Sequence, residues 1–374
     1  MRKNTEKTDD MNILYLSRTM GQGGAEKIVY QLAVDAAQRG AGVFVASCGG
    51  VYVDRMEQKG IRHIQVDDLE CKKPWVILRT VRILAGIVRN EKIDLIHSHH
   101  RMAQFYAFLL KYLFPKIQIV YTAHNIFPDK IIFMKMILHR TAIVSVGKCV
   151  KKNLTETFGV EPERIQIIYN RIQLEKPEKK YRNDTLDQLR GKGNWLIAAV
   201  GRLSEQKGVD VFIDTVQTLK IQKIPVKGIL IGDGEERDRL EKLIDEKALR
   251  KDIVLLGYQD HIPTLISQLD LVVMPSRWEG YPLLPLEVFA AHKTLIASNI
   301  DGINEIVEHG KNGILVPKDD KAAFSKAVIT LLKDGALRNE LEENGRKTLE
   351  KYNNYRDFVD QYYQLYEKSV EERQ

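Results

Sequence analysis

From Met11 onward, short and nearly continuous apolar runs alternate with longer windows in which apolar residues recur every three or four positions. Short apolar runs bounded by turn residues predict buried strands, and the wider spacing predicts amphipathic helices. NILYLS, GVFVAS, IDLIHSH, IQIVYTA and AIVSVG read as strands, with GGAEKIVYQLAVDAAQRG as the first helix. The rhythm breaks at 175–193, EKPEKKYRNDTLDQLRGKG, a charged stretch poor in apolar residues that predicts a linker. It then restarts with NWLIAAVGRL, VKGILIGDG, DIVLLGY, LDLVVMPS, KTLIAS and NGILVP as strands and helical windows between them. The expected fold is α/β: two Rossmann-like, doubly wound parallel-sheet domains at 11–174 and 194–352. In the closing helix, 353–374, Tyr355, Phe358, Tyr362 and Tyr366 make one stripe, expected to cap the sheet or cross back onto the first domain.

A length of 374 residues agrees with two domains of common size. Hydrophobic residues at 44% and charged residues at 29% place the chain among ordinary globular proteins. No apolar run is long enough to span a bilayer, and the polar opening MRKNTEKTDD lacks the apolar core of a signal peptide. The expected location is cytoplasmic. Cys48, Cys71 and Cys149 are scattered without a C-x-x-C pair, so neither a disulfide frame nor a zinc site is expected.

The net charge of +7 conceals an asymmetry. Residues 1–180 hold 29 Lys and Arg against 18 Asp and Glu, and the remainder of the chain is net acidic. A basic first half suits an anionic partner, such as the inner leaflet of a membrane or a phosphorylated lipid. No nucleic-acid motif accompanies the basic residues, so that partner is not expected.

Ligands of open parallel sheets bind beyond the carboxyl ends of strands, which directs attention to the loops there. GQGGAE (21–26) offers Gly23 and Gly24 at a helix start, where backbone N–H groups can approach a phosphate or sugar. A nicotinamide cofactor would also require an acidic residue ending the second strand, and GVFVASCGG has none. GRLSEQKG (201–208) places Arg202 and Lys207 where two cations can neutralise a diphosphate. MPSRWEGYPLLPLEVFAAH (274–292) sets Glu279 in a loop and Glu287 in the first turn of a helix started by Pro285. The N–H groups of Leu283, Leu284 and Leu286 beside that helix start form an expected anion site. The cluster His97, His99 and His100 in IHSHH lacks a clear fourth ligand and reads as wall of the site before metal.

Together, GQGGAEKIVYQLA, VGRLSEQKGVDVFI, LIGDGEERDRLE, LLGYQD and PSRWEGYPLLPLEVFAAHKTLIASNIDGINEIVEHGKNGILVP resemble the family-four retaining glycosyltransferases, which have the GT-B fold with two domains facing across a cleft. The resemblance covers most of 11–317. It implies that Glu279 reaches donor-sugar hydroxyls, that Glu287 accepts from the ribose, and that Arg202 and Lys207 hold the diphosphate. It also implies that Gly232, Asp233, Gly257 and Tyr258 line the base and ribose pocket, with Gly280 in the donor loop. His124 in YTAHN matches the first-domain histidine that faces the sugar and diphosphate. Two features depart from the family. IIYNRIQ stands where members commonly carry an Asn-Gly-x-Asp turn, and the residues before Met11 have no family counterpart.

The implied activity is retaining transfer of a hexose or N-acetylhexosamine from a nucleotide diphosphate sugar, UDP first and GDP still open, to a growing glycan. A covalent carboxylate is one route to retention. The resemblance favours same-face attack, with a donor phosphate oxygen taking the acceptor proton. No D-x-D motif ends a strand, so neither metal nor cofactor is expected. The apolar-basic segments 101–116 and 130–140 are expected either to rest on an anionic bilayer or to form core helices. On the first of these readings the acceptor is a lipid-linked glycan, at the inner face of the plasma membrane, in polysaccharide or cell-envelope synthesis. A GT-B epimerase or hydrolase and a catalytically silent sugar-nucleotide-binding subunit are the rival readings.

Overall fold

A computed structural model of the protein describes residues 11–173 and 182–371. The N-terminal extension and the first part of the expected linker lie outside the described residues. Two compact units divide the chain, Met1–Asn170 with Tyr355–Gln374, and Arg171–Asn354.

The first unit holds a parallel sheet of β1 (Asn12–Leu16), β2 (Gly42–Ser47), β3 (Arg62–Gln65), β4 (Leu95–Ser98), β5 (Gln118–Ala123), β6 (Ala142–Ser145) and β7 (Ile165–Ile167). Their spatial order is β3-β2-β1-β4-β5-β6-β7. Strand side chains Leu14, Leu16 and Ile96 pack with Leu84 and Val88 of the helix Pro74–Asn90 and with Tyr106 and Leu110 of the helix Arg101–Leu113. Helices cover the strands, so the central ones read as continuous apolar runs. The edge strands β3 and β7 escape a sequence reading. RHIQ carries one apolar residue, and IQI is three residues long.

The second unit repeats the plan with β8 (Trp195–Val200), β9 (Val226–Ile231), β10 (Ile253–Gly257), β11 (Leu271–Met274), β12 (Leu295–Ser298) and β13 (Ile314–Val316). The order is β10-β9-β8-β11-β12-β13, again parallel. Each sheet reverses its winding once, between β1 and β4 and between β8 and β11. The loops leaving those strands open a crevice at the carboxyl edge, where doubly wound sheets bind ligands.

The expected linker gives way to structure from 182 onward. The Asn183 side chain accepts from Leu186 N at 3.2 Å, capping the helix Asp184–Arg190, and Leu186 is buried. Arg190 bonds to Asp270 at 3.1 Å, within the second unit. A seven-residue helix with one buried leucine is too short for its periodicity to show.

The helix Tyr355–Glu371 belongs to the first unit and buries Phe358, Tyr362 and Tyr366. The tyrosine stripe does more than pack. Tyr366 Oη lies 2.7 Å from His97 Nδ1 and 3.4 Å from the Tyr15 hydroxyl. His97 Nε2 meets Thr122 Oγ1 at 2.8 Å, and that oxygen meets Tyr362 Oη at 3.2 Å. Polar atoms of β1, β4, β5 and the terminal helix thus satisfy one another inside the core. Burial, reinforced by nearby His124, holds His97 well below the usual histidine range.

Tyr366→Phe is expected to lose about 1–3 kcal/mol, because it leaves a buried His97 nitrogen unmatched; chemical denaturation of the full chain measures this. An acid-sensitive first unit is also expected. His97 and His99 are neutral when folded and protonate when unfolded. The unfolded state therefore takes up more protons below about pH 6.5, and stability falls with further acidification by up to about 1.4 kcal/mol per pH unit for each histidine. A thermal midpoint that stays level from about pH 7.5 to about 5 contradicts this.

Candidate active site

In the second unit, the loops after β8 and β11 lie together at the switch in winding. The chain leaves β8 through Gly201, makes a 3-10 turn at Glu205–Lys207, and enters the helix Val209–Ile221 through Gly208, whose φ is +59°. A Cβ on Gly208 would stand 2.1 Å from the Pro275 carbonyl oxygen, so the two loops touch backbone to backbone. The loop after β9 joins them. Gly232 has a φ of +135°, and a Cβ there would lie 1.9 Å from the Gly201 carbonyl.

This packing brings Lys207 Nζ to 2.6 Å from Glu279 Oε1. Glu279 is only 5% exposed, and Gln206 Nε2 approaches its other oxygen at 3.3 Å while donating to the Trp278 carbonyl at 2.9 Å. A carboxylate this buried requires its cation: removing one partner of such a pair costs about 3–5 kcal/mol. Arg277 braces the same loops. It bonds to Asp210 at 2.7 Å, to Asp319 at 2.9 Å and to the Glu205 carbonyl at 3.0 Å. Its backbone N–H donates to the Gln206 carbonyl at 2.7 Å.

Arg202 takes a different direction from Lys207. Its side chain is 63% exposed and pairs with Glu235 at 3.1 Å. Arg202 and Lys207 nonetheless line one small cavity with Gly201 and Ser276, whose buried hydroxyl has no partner among the described residues. Glu279 lies in the loop, and Glu287 lies in the first turn of the helix Leu284–Ala290, which contains Pro285. Leu283 precedes that helix, and its carbonyl accepts from Glu287 N at 3.1 Å. Leu283, Leu284 and Leu286 are all buried. Gly280 and Tyr281 follow Glu279; the Tyr281 hydroxyl accepts from Arg171 at 3.4 Å, and burial pushes its pKa up.

Asp233 accepts from Gly234 N at 2.8 Å and pairs with Arg237 at 3.1 Å, while its carbonyl accepts from Leu203 N at 3.0 Å. Gly232 N donates to the Gly257 carbonyl at 2.8 Å, and Tyr258 Oη donates to Asp260 at 2.5 Å. Gly232 and Asp233 thus sit in the loop after β9, beside Gly257 at the end of β10 and Tyr258 just beyond it.

In the first unit, Gly23 precedes and Gly24 begins the helix Gly24–Gln38. The Glu26 carboxylate folds over Gly23: a Cβ there would lie 2.1 Å from Glu26 Oε2, and Glu26 Oε1 accepts from Thr19 at 2.8 Å. The anion closest to this helix start is therefore the chain's own. His124 follows β5 and meets His99 Nδ1 at 2.9 Å through Nε2. The IHSHH cluster is not one wall. His97 and His99 are buried, whereas His100 caps the helix Arg101–Leu113 by accepting from Met102 N at 3.3 Å.

Gln206 and Arg277 are not singled out by the sequence motifs, and the pairing of His99 with His124 is not legible there either. Gln206 and Arg277 act through loop-to-loop contacts spanning about seventy positions, which spacing does not encode.

Comparison with known proteins agrees with this architecture. Residues 182–348 match the glycosyl transferases group 1 family and residues 22–176 match glycosyltransferase family 4. An alpha-D-kanosaminyltransferase of Streptomyces kanamyceticus is 35% identical over 40% of this chain and 39% of its own. The UDP-Gal:alpha-D-GlcNAc-diphosphoundecaprenol alpha-1,3-galactosyltransferase of Escherichia coli is 26% identical over 73% of this chain and 74% of its own. Anabaena HepE, crystallised in complex with UDP-glucose, superposes with a TM-score of 0.81 at 20% identity, covering 96% of this chain and 100% of that one. The chain belongs to the group 1, family-four glycosyltransferases and is a glycosyltransferase of the GT-B fold.

Proposed function

We propose that the protein moves a hexose or N-acetylhexosamine, with retention, from a nucleotide diphosphate sugar to a lipid-linked glycan in polysaccharide or cell-envelope synthesis. The observation that carries the reading is the Lys207–Glu279 pair at the β8/β11 switch. Departure of a nucleoside diphosphate demands a fixed cation near the developing charge. Lys207 is such a cation, held in place by a buried carboxylate. Glu279 retains acceptor capacity for sugar hydroxyls, Arg202 adds a second cation, and Glu287 takes the ribose. Bond cleavage then leaves an oxocarbenium-like sugar, and the acceptor oxygen attacks on the same face while a donor phosphate oxygen takes its proton. These charges are supplied by side chains, and the reaction is expected to run without a metal. UDP is the preferred nucleotide; the Escherichia coli relative named for a UDP-Gal donor and the UDP-glucose bound to HepE support this choice.

The acceptor reading rests on the surface of the first unit. The helix Arg101–Leu113 is chiefly a core helix, with Tyr112 and Leu113 exposed at its end. The helix Ile131–Ile137 is different: Ile132 is 86% exposed, with Ile131 and Met136 also exposed. The helix Pro74–Asn90, which the motif reading passed over, adds Trp75 at 67% exposure and Leu78, beside exposed Lys72, Lys73 and Arg82. Neither helix contains an acidic residue. Apolar side chains among cations suit an anionic bilayer surface and a lipid-linked acceptor. No described helix is long and apolar enough to cross a membrane. The proposed location is the inner face of the plasma membrane.

Four measurements test this reading. In a thermal-shift screen, UDP raises the midpoint of the full chain and Glu287→Ala abolishes the shift; no shift with UDP, GDP or ADP overturns the donor assignment. Arg202→Ala lowers kcat/KM by roughly 10- to 100-fold while leaving stability almost unchanged, since its ion pair is exposed. Turnover is expected to persist in EDTA, and loss that added Mg²⁺ restores overturns the metal-free mechanism. Vesicles containing phosphatidylglycerol bind the protein at low salt, and a Trp75→Ser, Ile132→Ser variant binds them several-fold more weakly. Equal binding to neutral vesicles, or no effect of the double change, overturns the membrane surface.

A further inference from the structure

The residues that follow β4 and β5 are linked by a contact between two imidazoles. His99 Nδ1 lies 2.9 Å from His124 Nε2, and the rings stack at 24°. Strand register explains the meeting. Ser98 stands opposite Tyr121 in the parallel pair, and side chains two apart share a face. His97, opposite Val120, therefore reaches Thr122 on the same face, and two residues farther, just past both strand ends, His99 reaches His124.

A nitrogen-to-nitrogen hydrogen bond holds one proton. Both rings are neutral near pH 7: burial first, with His97 and His124 adding to it, holds His99 well below the usual range, and burial takes His124 down to about 3. Each ring therefore carries a single N–H, and the open point is which ring donates. His99 Nε2 decides it, because that atom is buried and has no hydrogen-bond partner among the described residues. The ring beside it, His97 at a centroid distance of 3.9 Å, has both nitrogens engaged with Tyr366 and Thr122. With its proton on Nε2, His99 would bury an N–H with no acceptor. With its proton on Nδ1, only a lone pair is left unmatched, and orphan buried N–H groups are the rarer arrangement.

We infer that His99 is a positioning residue whose Nδ1–H donates to His124 Nε2 and locks His124 as the Nδ1–H tautomer, so that His124 meets its ligand as a hydrogen-bond donor and not as a base. The functional half rests on the proposed glycosyl transfer and on the role toward the donor sugar that the family resemblance implies for His124. An N–H there recognises a hydroxyl or phosphate oxygen. It also fits a transfer in which the donor phosphate, and no histidine, takes the acceptor proton.

Two-bond ¹H–¹⁵N correlation spectra of the full chain labelled with ¹⁵N-histidine report the tautomer, with His124→Gln identifying the His124 signals. The expected wild-type spectrum shows a protonated Nδ1 and a bare Nε2 on both His99 and His124. His99→Asn places an amide N–H near the position of Nδ1 and preserves the His124 signature. His99→Leu removes the donor, and His124 moves toward the Nε2–H form. An Nε2–H on His124 in the wild type overturns the inference, as does a His124 signature identical in His99→Asn and His99→Leu. If His99→Leu does not fold, the wild-type and His99→Asn spectra still decide. Turnover does not enter this readout. Undiminished transfer by His124→Gln, with Nδ1–H found in the wild type, removes His124 from the sugar site and leaves the tautomer lock standing.

Discussion

Gly208 against the Pro275 carbonyl, and Gly232 against the Gly201 carbonyl, are contacts that no residue with a Cβ can make without moving a loop. They are the constraint on which the second unit's site depends. Three loops from neighbouring strands lie with their backbones touching, and Lys207 and Glu279 meet because their loops have no room to separate. The pair in turn restrains the loops, since a nearly buried carboxylate deprived of its cation is far less stable than the paired one. Arg277 closes the arrangement from the outer side, bridging Asp210, Asp319 and two backbone groups. In the proposed role of Lys207 as a phosphate-binding cation such support is a gain, because a side chain already fixed loses little freedom when its ligand arrives.

The first unit reaches rigidity by another route. Its strand ends are joined by hydroxyls and imidazoles: Tyr366 to His97, His97 to Thr122, Thr122 to Tyr362. Because the tyrosines come from the terminal helix, the last residues of the chain determine how the ends of β4 and β5 are held. The same strand ends carry His99 and His124. Packing and candidate chemistry are therefore continuous here, and the terminal helix is part of the scaffold for that histidine pair.

How much of this was legible in the sequence follows from the range of each interaction. Buried central strands such as LVVM (271–274) announce themselves because every residue is apolar, whereas the edge strand RHIQ has one buried side chain and gives no signal. The loops carrying Lys207 and Glu279 were legible from glycines, prolines and position after a strand. Their direct pairing was not, since it depends on which loops the sheet order makes neighbours. Arg202 shows the converse. Proximity in sequence groups it with Lys207, and both line one small cavity, but the sequence does not show that its side chain pairs outward with Glu235. Likewise the helix Arg101–Leu113 has an apolar-basic composition, yet its inward face belongs to the core and only Tyr112 and Leu113 at its end are exposed large apolar residues, while the helices Pro74–Asn90 and Ile131–Ile137 expose Trp75, Leu78, Ile131, Ile132 and Met136.

The charge asymmetry gains meaning from this distribution. A basic excess in the first half of the sequence is by itself only a preference for anions. Exposed Trp75, Leu78 and Ile132 on helices that lack acidic residues add an apolar contribution, which an anion in solution cannot use and a lipid surface can. In the second unit, cations at the candidate site are matched locally: Lys207 by Glu279, Arg202 by Glu235, Arg277 by Asp210 and Asp319. Local matching keeps a lysine oriented while lowering its long-range field, which suits a small ligand recognised at contact distance. A surface with a net basic excess projects its field outward and suits a partner as large as a membrane. This distribution of charge is what the proposed division between a small soluble donor and a surface-held acceptor calls for.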